Sequence, residues 1–324
     1  MAGHGDSKRA VVAAMAANAA IALAKFVAAA LSGSITMLAE GVHSVADTAN
    51  QALLLLGMGL AEKSDPERYP LGRAKERYFW AFIVALMLFF LGGVYAIWEG
   101  VHKLSEPPHA PGSQVVSIAV LCVSLLLEGS SWVVAMREFR KQKGGRSLMD
   151  ALFEGRDPTI PIVLLEDTGA IVGLAVALVA VIFTSATGSP IADAAGSIVI
   201  GVLLCVIGIL LARDTRSLLI GEAATPEIRR RTIEIILGTN GVESVTQMLT
   251  MHLGPDTVLV ALKVRFSSGM LVDESEKVVD ELEERVRAEF PQMKQIFVEA
   301  DSDYDEAADE SRHPVKLARK GPWR

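Results

Sequence analysis

Long apolar runs fill the first two thirds of the chain, and shorter alternating patterns fill the last third. Six hydrophobic segments stand out, at about 9–32, 35–62, 78–103, 113–138, 158–184 and 190–213. Each reaches the ~20 residues that a helix needs to cross a bilayer core. After about Gly221 the pattern changes. Pro226 to Leu237 predicts an amphipathic helix. Val242 to His252 and Thr257 to Phe266 predict strands joined by the turn Leu253-Gly254-Pro255-Asp256. Val272 to Phe290 predicts a charged amphipathic helix, and Gln295 to Glu299 a third strand. The order αββαβ predicts a small ferredoxin-like α+β domain of about 80 residues. The fold class expected is therefore a membrane all-α six-helix bundle plus a small α+β domain. The chain divides into a six-span region at 1–220, the αββαβ domain at 221–300 and a polar tail at 301–324, too poor in apolar residues to order.

Polar residues break the second apolar segment in a regular way. In Ile35 to Ala61, His43 and Asp47 stand four residues apart, and Glu40, His43 and Asp47 follow i, i+3, i+7 spacing. Such residues share one helix face. Ser44, Asn50 and Gln51 widen the stripe, while Met37, Val45, Ala52 and Leu53 occupy the opposite side. An imidazole and a carboxylate on one face can grip a divalent metal ion. The bland alternative is a pair of polar groups satisfying each other inside a bundle. A carboxylate at mid-bilayer costs about 3 kcal/mol on insertion scales, which favours a functional role.

Composition agrees with several spans plus a soluble part. The hydrophobic fraction is 51% and the mean hydropathy +0.37. The net charge of −7 is unevenly spread, with acids in the C-terminal third and bases in the loops that flank the spans. Fifteen Lys and Arg residues fall on one side of a six-span layout, among them Lys8, Arg9, Arg73, Lys75, Arg140, Lys141 and Arg213, against Lys103 alone on the other. Both termini are accordingly expected in the cytoplasm. No basic stretch interleaved with aromatics suggests nucleic-acid binding. Cys122 and Cys205 lie in apolar segments and read as packing residues. The first apolar segment is too long for a cleaved signal peptide, so it is expected to stay as a helix. Abundant Ala and Arg point to a bacterial inner membrane. The spans, and the lack of a nucleophile–base or Gly-rich phosphate motif, argue against an enzyme.

The fifth segment supplies further acids, Glu166 and Asp167, in VLLEDTGAIVGLAVALV. Adjacent helical residues point about 100° apart, so Asp167 suits direct ligation. Glu166 suits a fourth ligand, a proton acceptor or a partner for Lys25 in the first segment. An interhelical polar contact is the plain alternative for both. Glu128, in LLLEGSSW, suits either a structural hydrogen bond or a proton relay, and Glu99 beside His102 and Lys103 suits the interface. Asp193 suits an N-cap. Gly41, Gly57, Gly59, Gly169 and Gly173 would permit close helix packing.

These residues, HSVAD in the second segment, YPLGRAKERYFW entering the third, Asp167 in the fifth and LLIGEAATPE after the sixth, resemble the cation diffusion facilitators over about 10–300. GRAKERYFW and LEDTGA are most similar to the zinc-transporter-nine-like branch and its bacterial relatives. The resemblance implies exchange of a cytoplasmic divalent cation for protons by a homodimer in the lipid membrane. Zinc is the first cargo expected, with cobalt, cadmium and manganese as further candidates and no cofactor. It implies two ligands from each of the second and fifth spans, which His43, Asp47 and Asp167 match. The fourth position is Val163, which cannot ligate, so water or Glu166 would complete the shell. Family members often bind regulatory metal through several histidines in the soluble domain; this domain has His252 alone, and Phe297 where the last strand often carries one. A rival reading is a non-transporting membrane metal sensor or scaffold, favoured by Val163 and opposed by the polar seam.

Overall fold

The computed structural model describes residues 3–32, 35–105, 114–143, 145, 147–153, 155–187 and 191–301. They form two compact units, Met1–Ser64 with Lys75–Leu219, and Asp65–Ala74 with Ile220–Arg324. The tail expected at 301–324 lies outside the described residues beyond Asp301.

The first unit is helical throughout. Its elements are α1 (Gly3–Ser32), α2 (Ile35–Ala61), α3 (Glu76–Met87), a π-helical segment (Leu88–Val94), α4 (Tyr95–Ser105), α5 (Gln114–Lys143), α6 (Leu148–Phe153), α7 (Thr159–Thr187) and α8 (Ile191–Ile220). The third apolar segment is thus one continuous run of α3, the π-turns and α4. Among the described residues, five helical runs are long and apolar enough to cross a membrane: Ser7–Leu31, Glu76–Leu104, Ile118–Lys141, Thr159–Phe183 and Ala194–Ile220. Helix α2 is not among them. Its 27 residues make it about 40 Å long at 1.5 Å per residue, ample to span. Its row of His43, Ser44, Asp47, Asn50 and Gln51 is what lowers its hydropathy.

Helices α1, α2, α5 and α7 pack together. The alanines of α1 bring it close to its neighbours, with Ala10, Val11 and Ala14 at most 1% exposed. They share a core with Leu54 and Met58 of α2, Ala135 and Phe139 of α5, and Ile160, Val163 and Leu164 of α7. The outward faces carry Leu23, Leu31, Leu126, Val179 and Ile182, all exposed, as hydrocarbon contact requires.

The third span lies against α8 through glycine. A Cβ on Gly201 would stand 2.7 Å from the Gly93 carbonyl oxygen, and one on Gly208 2.9 Å from Phe89 Cβ. A Cβ on Gly93 would strike Cys205 Sγ, and one on Gly100 would come 2.8 Å from the Ala194 carbonyl. With no hydrophobic drive between helices in lipid, such close van der Waals approach holds them together. Among the glycines expected to pack, Gly41 meets Phe26 and Gly57 meets Trp80, whereas Gly59 faces open space.

At the end of α8, Gly221 takes a φ of 121°, which breaks the helix. In the second unit, α9 (Pro226–Leu237) starts on a Thr225 cap whose hydroxyl accepts from Ile228 N at 3.5 Å. Strands β1 (Val242–Gly254) and β2 (Thr257–Phe266) form an antiparallel hairpin. Helix α10 (Val272–Glu289) then crosses to β3 (Gln295–Ala300), which pairs parallel to β2. The sheet order is β1-β2-β3. Alternation along β2 buries Val258, Val260, Leu262 and Val264. They form a core with Ile235 and Ile236 of α9, Leu282 and Val286 of α10, Met248, Met293 and Ile296.

Two substitutions separate packing glycines from idle ones. Gly201→Val forces a side chain into the third span and costs about 1–3 kcal/mol as overpacking. Gly59→Ala meets nothing within 4 Å and leaves stability unchanged or slightly raised. Thermal unfolding of detergent-purified protein measures both; equal midpoints for Gly201→Val and wild type would refute the close crossing.

Candidate metal site

Three helices of the first unit aim acids at one cavity of about 90 Å³. Its wall includes His43 and Asp47 of α2, Glu128 of α5, and Glu166 and Asp167 of α7. Lys25 and Asn18 of α1 join them, with Gly169, Leu174, Ile200 and Leu204 as apolar lining. The volume holds several waters or a partly hydrated ion. A smaller recess, lined by Met87, Leu88, Leu91 and Gly92 around the π-turns, adjoins His43, Asp47 and Asn50. π-Turns recur at functional positions because they displace side chains from the regular helical lattice.

The helical repeat places His43 and Asp47 together, with Nε2 3.8 Å from Oδ2. That is too long for a hydrogen bond, so neither group satisfies the other. The side chain of His43 is 39% exposed and that of Asp47 16%. Asp167 is 1% exposed. Its Oδ2 accepts from Ser131 Oγ at 2.7 Å, while its Oδ1 is buried without a hydrogen-bond partner. A buried carboxylate oxygen left open beside a polar cavity is the kind of atom a cation would satisfy.

Glu166 is differently placed. Its Oε1 accepts from Asn50 Nδ2 and its Oε2 from Gln51 Nε2, each at 2.8 Å. Asn18 Nδ2 in turn donates to Gln51 Oε1 at 3.3 Å. One buried acid is therefore tied to α2 at both oxygens, and through Gln51 to α1. Lys25, 4% exposed, turns into the bundle and donates to Ser44 Oγ at 3.0 Å. The structural hydrogen bond considered for Glu128 does not appear among the described residues. Glu99 pairs with Lys103 at 3.3 Å, away from the cavity. The side chains of Glu40 and Asp193 lie outside the described residues. Among the described residues no three His, Cys, Asp or Glu side chains already converge as a metal cage. The groups instead line a common space.

Sequence reasoning named the α2 stripe and both α7 acids. It missed Asn18, hidden in an alanine-rich run, and Ser131, whose signal was its place three residues after Glu128. In the second unit His252 is buried, its backbone N–H donating to the Glu222 carbonyl at 2.8 Å.

Residues 11–220 match the family described as Cation efflux transmembrane domain, and residues 224–303 match Cation efflux protein, cytoplasmic domain. The chain belongs to the cation efflux family of membrane transporters. It is 34% identical over 270 residues to Metal tolerance protein C4 of Arabidopsis thaliana, covering 82% of this chain and 58% of that protein. It is 31% identical over 244 residues to a mitochondrial proton-coupled zinc antiporter of Mus musculus, covering 75% of this chain and 43% of that one. The magnetosome protein MamB of Magnetospira sp. is 25% identical over 274 residues, 83% of this chain and 86% of its own. The chain thus spans about half the length of the first two relatives. It is an integral multi-pass membrane protein of a transporter family, not an enzyme.

The amide clamp on Glu166 generates a stability prediction. Asn50→Ala or Gln51→Ala removes one donor from a buried carboxyl group and costs about 1–3 kcal/mol. The double variant should depart from the sum of the singles, because both act on one group. Thermal midpoints of the purified variants test this; strict additivity would mean that the two amides do not share Glu166.

Proposed function

We propose that this protein exports divalent metal cations by proton antiport, with zinc as the first cargo and cobalt, cadmium and manganese as alternatives. His43, Asp47 and Asp167 hold the ion, and Glu166 borders the same cavity, able to reach the ion only by releasing Asn50 or Gln51. The observation that carries this reading is that Asp167, whose buried Oδ1 has no hydrogen-bond partner, lines the same cavity as His43 and Asp47. One imidazole with carboxylates suits a borderline ion such as Zn²⁺. A relative described as a proton-coupled zinc antiporter supports both the ion and the coupling. Imidazole and carboxylate bind metal when deprotonated and release it when protonated, so metal and protons compete for one site. Alternating exposure of that site to the two sides converts the competition into exchange.

In this reading α2 is a sixth span, its polar stripe turned inward, and the membrane domain covers 1–220. The αββαβ domain at 221–300 has a ferredoxin-like arrangement, lies with both termini in the cytoplasm and joins two copies into a homodimer. The match of 224–303 to a family cytoplasmic domain supports this side, as do the clustered basic loops. The inner membrane of a bacterium is the location proposed. The burial of Val163, 0% exposed, favours a second reading as a non-transporting metal sensor or scaffold, since that position offers no ligand.

The deciding experiment is metal flux into proteoliposomes under an imposed pH gradient. Zn²⁺ uptake that follows the gradient and falls at least about ten-fold in Asp47→Ala is the expected result, a loss of the order seen when metal-site groups are removed. Folded wild-type protein that moves none of Zn²⁺, Co²⁺, Cd²⁺ or Mn²⁺ would replace the transporter with the sensor or scaffold.

A further inference from the structure

The proposed site leaves one coordination position unassigned. Val163 lies four residues before Asp167 on α7, where a helical ligand would fall. It is instead fully buried in the apolar core with Ile160, Ile162 and Phe139, and does not line the cavity. Water is one substitute and Glu166 another, but both Glu166 oxygens already accept amide hydrogens at 2.8 Å. Recruiting Glu166 would strand Asn50 and Gln51 in the interior of the bundle. Asn50 already has one buried acceptor without a hydrogen-bond partner.

Glu128 has no such commitment. It is 5% exposed, lines the cavity with His43, Asp47 and Asp167, and receives no hydrogen bond among the described residues. A carboxyl group that lines a cavity and receives no donor is available to ligate an ion there. The helix repeat explains its aim. Ser131, three residues on and so on the same face of α5, donates to Asp167 Oδ2 at 2.7 Å. That bond fixes α5 against α7 beside the acid and leaves Oδ1 of Asp167 open. Glu128 then sits one turn away on the same wall. Trp132 Nε1 donates to Thr168 Oγ1 at 2.9 Å and sets the same register.

We propose that Glu128 of α5 is the fourth metal ligand, taking the position that Val163 vacates and moving part of the site from the α2–α7 pair onto a third helix. This rests on the reading of His43, Asp47 and Asp167 as ligands. The resulting donor set is one imidazole nitrogen and three carboxylate oxygens, harder than a set with two imidazoles. It accommodates Co²⁺ and Mn²⁺ beside Zn²⁺. Ser131 supports it as an outer hydrogen-bond partner that orients a ligating carboxylate. Lys25, held on the same wall by Ser44, offsets part of the added negative charge.

Cobalt(II) titration of the full-length protein in detergent tests the assignment, because visible d–d bands report which atoms enter the coordination shell. Wild type and Glu128→Asp should bind Co²⁺ with similar bands. Glu128→Gln should bind at least about ten-fold more weakly with altered bands. Glu128→His, which exchanges oxygen for nitrogen, should keep binding and shift the bands, and it carries the test if Glu128→Gln does not fold. Wild-type bands and affinity in both Glu128→Gln and Glu128→His, with binding lost in Asp47→Ala, would overturn the role of Glu128 alone. Wild-type bands in Asp47→Ala would overturn the underlying site and this inference with it.

Discussion

An acid inside a hydrocarbon layer must be protonated, hydrogen-bonded, balanced by a charge or bound to a cation, and four acids line a single cavity of this bundle. Most of the architecture around them answers that requirement. Asn50 and Gln51 satisfy Glu166, Ser131 satisfies half of Asp167, and Lys25 brings a positive charge to the same wall. What stays unsatisfied is equally informative. Among the described residues, Asp167 Oδ1 is buried without a partner, Glu128 lines the cavity and receives no hydrogen bond, and His43 stands too far from Asp47 to bond it. The open groups are thus concentrated where an ion would enter.

This division separates acids held by hydrogen bonds from acids left open. Glu166 ties α7 to α2 and, through Gln51, to α1. Asp167, its neighbour in sequence, points elsewhere because adjacent helical residues diverge by about 100°. The Glu166 joint fixes the register of α7 against α2. The glycine crossing of α8 with the third span is of another kind, a contact between backbones with no room for adjustment. Within one helical unit, polar bonding ties α1, α2, α5 and α7, and close van der Waals contact ties the third span to α8.

Legibility in the sequence followed the range of the information. The stripe of His43 and Asp47 was readable because helical period alone places i and i+4 together. The helix and strand limits after Gly221 followed from alternation, with α9 at Pro226–Leu237 as expected and β1 running two residues further, to Gly254. Helix α2 was harder, since the polar seam that marks the site also takes it out of the set of plainly apolar helices. Gly59 looked like Gly57 in sequence, yet only Gly57 meets a neighbour, because which face a glycine occupies depends on the partner helix.

Local pattern therefore determined the elements, the inward polar face of α2 and the chemistry of its residues, since these depend on spacing within one segment. Tertiary structure decided which of the acids are free. No spacing rule could say that Glu166 would be clamped by two amides 115 and 116 residues away, or that Ser131 would choose Asp167 across 36. Nor could it say that Glu128 would line the same cavity and, among the described residues, receive no hydrogen bond. Those outcomes depend on how helices rotate about their axes when they pack, and that rotation is set by the sum of all contacts.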